Sequence, residues 1–136
     1  MFSSDLAFIP AAERYDLMPA IDRWVITETF SIYKQALQQK TGESHNNCTI
    51  NLSGASLNND QFPDFILQQF NRHDMPTQLI CFEITETALI VEPEKTVQII
   101  QAISDLGCKI SLDDFGNGFS SLSHLHSFPI DIVKID

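Results

Sequence analysis

The chain has 136 residues, 43% of them hydrophobic and 19% charged, and a formal net charge of −10. This length and composition predict one folded domain with an apolar core and exclude an intrinsically disordered chain. The negative charge repels phosphate backbones, so we expect no DNA or RNA partner, and a phosphate ligand would need a bound cation as mediator.

The predicted elements begin with a helix opening at Pro10, within residues 5–18. A longer helix is predicted over residues 19–40, with Pro19 in its first turn. Further helices are predicted over residues 63–72 and 120–127. Another helix is predicted to begin at Pro93 and to end at Gly107, which lies just beyond its last turn. The side chains expected on the buried side of the second helix are Ile21, Trp24, Val25, Ile32, Ala36 and Leu37.

Four short apolar runs predict strands over residues 48–53, 79–85, 108–114 and 130–135. Near-continuous apolar strands that alternate with helices are typical of a parallel sheet in an α/β protein. A doubly wound open sheet is the alternative, but no Gly-x-Gly-x-x-Gly or P-loop pattern follows a strand. We therefore favour a (β/α)8 TIM-type barrel. A complete barrel needs about 250 residues, so the four parallel strands predict a partial one.

The three cysteines, Cys48, Cys81 and Cys108, each adjoin an apolar run and form no Cys-x-x-Cys pair. They predict reduced, buried thiols in a cytoplasmic protein and speak against a zinc site. The apolar runs are far shorter than the roughly 20 residues of a membrane span, and the N-terminus lacks the basic residues of a signal peptide. We expect no direct membrane insertion.

Each predicted strand carries polar residues near its C-terminal end: Asn51, Glu83, Asp113 with Asp114, and Lys134. In a barrel these positions converge on one rim, where active sites form. Amide and carboxylate oxygens suit Mg²⁺ or Mn²⁺, and two adjacent aspartates could serve two metals that clamp the oxygens of a phosphodiester. The lysine could orient the attacking water or neutralise charge on phosphate.

Each of these residues also has a structural explanation. The two aspartates could sit in a solvated strand-to-helix turn, Asn51 could be a turn former, and Glu83 could occupy an edge position. Lys134 could pair with Asp131 or Asp136. Their joint occurrence at successive strand ends favours the metal site.

Five segments, in order along the chain, resemble the EAL domain family. EAL domains are (β/α)8-barrel phosphodiesterases of bacterial signalling that hydrolyse cyclic di-GMP to linear pGpG with Mg²⁺ or Mn²⁺. The resemblance implies that residues 1–136 form the central part of such a barrel. The segments are Phe8-Ile9-Pro10 with Ala12-Glu13-Arg14, Ile50-Asn51-Leu52-Ser53, Phe82-Glu83-Ile84-Thr85-Glu86, residues 113–122, and Val133-Lys134-Ile135-Asp136.

The resemblance implies roles for the polar residues at the strand ends. Asn51, Glu83 and Asp113 would be metal ligands, and Asp114 would be catalytic by serving the second metal. Lys134 would be the catalytic lysine that contacts the nucleophilic water.

The resemblance also implies a role for Glu86, which matches the glutamate that anchors the loop at residues 115–121. This loop helps to complete the metal site and is linked to dimerisation in the family. It carries Asn117 and Phe119 where family members usually have Thr and Tyr.

The Glu-Ala-Leu triplet that names the family would lie upstream of Met1, and further ligands would follow Asp136. We therefore expect an incomplete site, and open sheet edges that favour self-association or a homodimer. EAL domains commonly adjoin sensory or diguanylate cyclase domains, some in membrane-anchored proteins. Two other functions stay open: a non-catalytic cyclic di-GMP receptor or protein-interaction module, and an unrelated barrel enzyme acting on another phosphate ester.

Overall fold

A parallel sheet of four strands, in the order β1-β2-β3-β4, forms the frame of the fold. The strands follow one another in space as they do along the chain, so the sheet lacks the reversal of strand order that marks a doubly wound fold. This order confirms the predicted parallel α/β arrangement. The strands are β1 (Cys48–Asn51), β2 (Ile80–Thr85), β3 (Lys109–Phe115) and β4 (Ile132–Ile135).

The helices are α1 (Ala11–Gln39), α2 (Phe62–His73), α3 (Glu86–Ile90) and α4 (Pro93–Asp105), with 3₁₀ turns at Ser56–Asn58 and Thr77–Leu79. This computed structural model describes residues 11–39, 47–90, 92–115 and 128–135, without the side chains at 11–15, 90, 114–115 and 135. The predicted helix over residues 120–127 and the predicted helix start at Pro10 lie outside the described residues.

Proline and glycine mark two of the helices as the sequence predicts. Pro63 and Pro93 lie in the first turns of α2 and α4, where a missing N–H costs no intrahelical bond. Beyond the end of α4, Gly107 has a φ of +107°. A Cβ at Gly107 would lie 2.5 Å from Thr77 Oγ1, so this turn requires glycine both for its backbone angle and for space.

The two helices predicted on either side of Pro19 are a single helix, α1, with the proline inside it. A proline in a helix interior costs about 3 kcal/mol because a backbone bond is lost and the ring crowds the preceding turn. Packing of α1 against α2 and β1 offsets this cost.

The buried side of α1 also differs from the prediction. Trp24 is 51% exposed and Ile32 is 67% exposed, whereas Asp22, Ile26 and Phe30 are buried. The prediction was wrong for Trp24 and Ile32, whereas Val25 and Leu37 pack against the core as predicted. None of the described helices is long and apolar enough to span a membrane.

The apolar core lies between the sheet and the helices. Central residues of β2 and β3 are buried on both sides, as expected for a covered parallel sheet. The three cysteines are free, with Cys81 and Cys108 buried. The largest fully buried side chains are Phe30, Phe62, Phe82, Ile26, Leu57, Ile66, Ile80, Ile84, Ile100, Ile103, Ile110 and Leu112.

Candidate active site

The strand register brings the polar residues of β1, β2 and β3 onto one face of the sheet. Asn51 pairs with Glu83, and Glu83 pairs with Ser111. Asp113 pairs with Thr85, two positions further along. Because side chains alternate between the faces of a strand, all of these residues face the same side. Asn51, Glu83 and Ser111 form one row across the sheet, and Asp113 belongs to the next row toward the C-terminal ends of the strands.

Lys134, on β4, reaches across β3 to the glutamate of β2. Its Nζ lies 2.6 Å from Glu83 Oε1, and the Glu83 side chain is only 13% exposed. The contact is a close ion pair that does not meet the angular criteria of a hydrogen bond, and Glu83 Oε1 is buried. The structure thus joins two predicted site residues that are separated by a whole strand.

This contact favours the protonated form of Lys134. The hydrogen-bond-length contact with Glu83 and the negative charge of that carboxylate raise the pKa of Lys134, and Asp113 adds to the increase. Partial desolvation acts in the opposite direction. The lysine is therefore fully protonated at neutral pH.

Asp131 does not pair with Lys134. Its Oδ2 accepts a hydrogen bond from the backbone N–H of Ile110 at 2.8 Å, and its own N–H donates to the Ile110 carbonyl oxygen at 2.9 Å. These bonds fasten the chain entering β4 to β3. The alternative Lys134–Asp131 ion pair was therefore wrong, and Asp136 lies outside the described residues.

The remaining predicted site residues are only partly described. Asp114 lies in β3, but its side chain is outside the described residues. Glu86, the first residue of α3, is 3% exposed. The loop that it is predicted to anchor lies outside the described residues from Gly116 onward.

Sequence reasoning missed Asp22, which supports the segment after β1. Its Oδ2 accepts hydrogen bonds from the Ser53 N–H at 2.9 Å, the Ser53 hydroxyl at 2.6 Å and the Ser56 hydroxyl at 2.7 Å. The carboxylate is buried, so these three donors stabilise its charge. Because Ser53 is two residues beyond Asn51, the network holds the end of β1 in place. A Ser-x-x-Ser spacing after a strand is the available sequence signal.

Ser111 was also missed, although it belongs to the same row of side chains as Asn51 and Glu83. It is 1% exposed, and its hydroxyl has no hydrogen-bond partner in the described part of the chain. A polar residue in an otherwise apolar stretch of β3 was the signal that could have identified it.

The chemistry of the donor set fits a hard divalent cation. Asn51 offers an amide oxygen, and Glu83 and Asp113 offer carboxylates, on one face and near successive strand ends. The ammonium of Lys134 already holds a positive charge against the buried Glu83 oxygen. Among the described side chains, no three His, Cys, Asp or Glu residues cluster as a metal site. The described donors alone therefore make an incomplete cation site.

Comparison with known families decides the assignment, because the family model described as "EAL domain" matches residues 3–136. The chain belongs to the EAL domain family. This confirms the resemblance drawn from the sequence and excludes an unrelated barrel enzyme.

Among relatives of this EAL domain is the cyclic di-GMP phosphodiesterase PdeB of Shewanella oneidensis. It is 42% identical over 130 residues, which are 95% of this chain and 15% of PdeB. The cyclic di-GMP phosphodiesterase PdeA of Borreliella burgdorferi is 34% identical over 131 residues, covering 94% of this chain and 20% of PdeA. This EAL domain therefore spans a small part of each relative's length.

Among solved structures, the PaMucR phosphodiesterase in complex with c-di-GMP superimposes with a TM-score of 0.80 at 29% identity. The match covers 96% of this EAL domain and 55% of the solved chain. The predicted fold class, parallel strands alternating with helices as in EAL barrels, is confirmed. Phosphodiesterases of the family generally depend on a divalent metal.

Proposed function

We propose that this chain is part of a cyclic di-GMP phosphodiesterase that produces linear pGpG in bacterial second-messenger signalling. The family and the named activity of two relatives support the proposal. The observation that carries it is the Glu83–Lys134 contact at the strand ends, next to Asn51 and Asp113 on the same face. Oxygen donors beside a fixed ammonium suit the hydrolysis of an anionic phosphodiester.

In this proposal Asn51, Glu83 and Asp113 hold a divalent cation, Mg²⁺ or Mn²⁺, and Asp114 serves a second one. The bound cations supply activation of water and neutralisation of charge on the phosphodiester. The chain's net charge of −10 makes cationic groups necessary at a site that binds an anionic substrate.

Lys134 acts as a fixed positive charge and hydrogen-bond donor. In the chain without metal, the Glu83 contact raises the pKa of Lys134 and favours its protonated form. It can orient the attacking water and stabilise negative charge that develops on phosphate oxygens. If Glu83 held a cation, the ammonium of Lys134 would be available to the water.

Assembly and location complete the proposal. Glu86 anchors the loop after the Asp113–Asp114 pair, and the domain self-associates, with flanking sensory or diguanylate cyclase domains in the parent protein. In the isolated chain, exposed Ile132 and Val133 on β4, an edge strand of the described sheet, favour association. Three free cysteines agree with a cytoplasmic location.

The test is hydrolysis of cyclic di-GMP with Mn²⁺ or Mg²⁺, followed by chromatography of pGpG. This chain is compared with a chain extended at both ends, and each is compared with its Lys134→Met variant. We expect turnover in the extended chain and a loss of at least about 100-fold in its variant, since charge-stabilising groups contribute on this scale. No turnover in the extended chain would refute the enzymatic function.

A cyclic di-GMP receptor is the second candidate, because the solved PaMucR structure holds c-di-GMP. If the protein is a receptor, the extended chain should bind cyclic di-GMP without hydrolysing it. This should hold at metal concentrations at which an active phosphodiesterase hydrolyses the nucleotide. Equilibrium binding measured in parallel with the hydrolysis assay separates the two functions.

A further inference from the structure

Two buried side-chain atoms, Glu83 Oε1 and Ser111 Oγ, have no hydrogen-bond partner in the described part of the chain. Buried polar atoms are nearly always hydrogen-bonded, so each such atom needs a physical explanation. These two belong to residues that are direct partners in the register of β2 and β3. Their proximity suggests a common explanation.

Of the two residues that Ser111 pairs with in the strand register, one is polar. On one side it pairs with Glu83, and on the other it pairs with the apolar Ile132 of β4. Adjacent strands are about 4.8 Å apart, so rotation about one side-chain bond can bring a serine hydroxyl to a neighbouring carboxylate. Both atoms are closed to solvent, which leaves no space for a bridging water, and in the described part of the chain Glu83 Oε1 has only its ion pair with Lys134. Among the described residues, a direct hydrogen bond from Ser111 to Glu83 is therefore available.

We propose that Ser111 is a positioning residue for Glu83. Its hydroxyl donates a hydrogen bond to the Glu83 carboxylate when that group leaves Lys134 and holds the divalent cation. This role rests on the proposed function, because it needs Glu83 to be a metal ligand. Carboxylates that bind metals are usually held by a hydrogen bond from an outer residue, and loss of such a bond weakens metal binding by about 10- to 100-fold.

The test measures Mn²⁺ binding to the chain extended at both ends by isothermal titration calorimetry and by electron paramagnetic resonance of free Mn²⁺. The variants are Ser111→Ala, Ser111→Cys, which retains side-chain volume but is a weak donor, and the matched control Ser104→Ala on α4. We expect both Ser111 variants to bind Mn²⁺ about 10- to 100-fold more weakly than wild type, with Ser104→Ala unchanged.

A second measurement separates positioning from a structural role. In EDTA, Ser111→Ala is expected to unfold at the same or a higher urea concentration than wild type, because it removes a buried hydroxyl that lacks a partner. Wild-type affinity in Ser111→Ala, or lower stability in EDTA with unchanged affinity, would overturn the role of Ser111. An absence of Mn²⁺ binding to wild type would instead overturn the metal site of the proposed function, and this role with it.

Discussion

The buried Asp22 carboxylate gives the most quantitative prediction. Substitution Asp22→Ala removes the acceptor of three hydrogen bonds, from the Ser53 N–H, the Ser53 hydroxyl and the Ser56 hydroxyl. Ser56 is fully buried, so water cannot replace the lost acceptor there without rearrangement. The end of β1 would lose its attachment to α1.

A hydrogen bond to a charged acceptor contributes about 1.5–3 kcal/mol, and removing one partner of a buried charged network costs about 3–5 kcal/mol. Three bonds to a single oxygen do not add independently, so we expect Asp22→Ala to lower the free energy of unfolding by about 3–5 kcal/mol. Asp22→Asn keeps an oxygen but loses the charge, and should cost about 1–3 kcal/mol.

Urea denaturation followed by circular dichroism measures these changes. Asp16→Ala is the matched control, since Asp16 is an exposed aspartate on the same helix, and it should change stability by less than about 0.5 kcal/mol. In a double-mutant cycle, Ser56→Ala should cost much less in the Asp22→Ala background than in wild type. A loss below about 1 kcal/mol for Asp22→Ala, or additive effects in the cycle, would refute this account of the network.

Three further predictions concern other parts of the fold. The raised pKa of Lys134 means that its ion pair with Glu83 stabilises the folded chain fully below the ordinary lysine pKa of 10.5, and that this contribution is lost as pH rises through the higher folded value. Thermal unfolding on both sides of that pH should show this loss in wild type but not in Lys134→Met; identical profiles would contradict the ion pair. Burial raises the pKa of Cys108 to about 12, so native protein at neutral pH should resist iodoacetamide at this thiol until urea unfolds the chain, as followed by mass spectrometry; labelling at the rate of the unfolded chain would contradict the burial. Gly107→Ala should destabilise by about 1–3 kcal/mol in urea because φ is positive and Thr77 is too close, whereas Gly54→Ala, whose Cβ would make ordinary contacts, should cost clearly less; equal losses would contradict this reason.

Much of the fold could be predicted because its signals are local. Apolar runs of strand length, prolines at Pro63 and Pro93, and the glycine after α4 indicated three helix boundaries and four strands. The polar residue near each strand end identified one edge of the sheet, since parallel strands must place their C-terminal ends together. These patterns depend on a few neighbouring residues and survive without knowledge of the tertiary contacts.

The wrong predictions concern features whose free energy depends on residues far away in the sequence. Pro19 looked like a helix start, but packing keeps α1 continuous through it. Trp24 looked like a core residue, but it is exposed. The side of α1 that carries Asp22 is buried instead, where the Ser53 and Ser56 hydroxyls after β1 donate hydrogen bonds to the Asp22 carboxylate. The sequence does not show which donors will meet a buried charge.

The sequence by itself determined the strand and helix pattern, the family, and the set of oxygen and ammonium groups at the strand ends, because these depend on residue type and spacing. Tertiary structure decided which of those groups meet. Strand register put Ser111 beside Glu83, and the order of the strands let Lys134 reach Glu83 rather than its near neighbour Asp131. Pairing between charges depends on distance in space, which the parallel sheet sets across residues far apart in the chain.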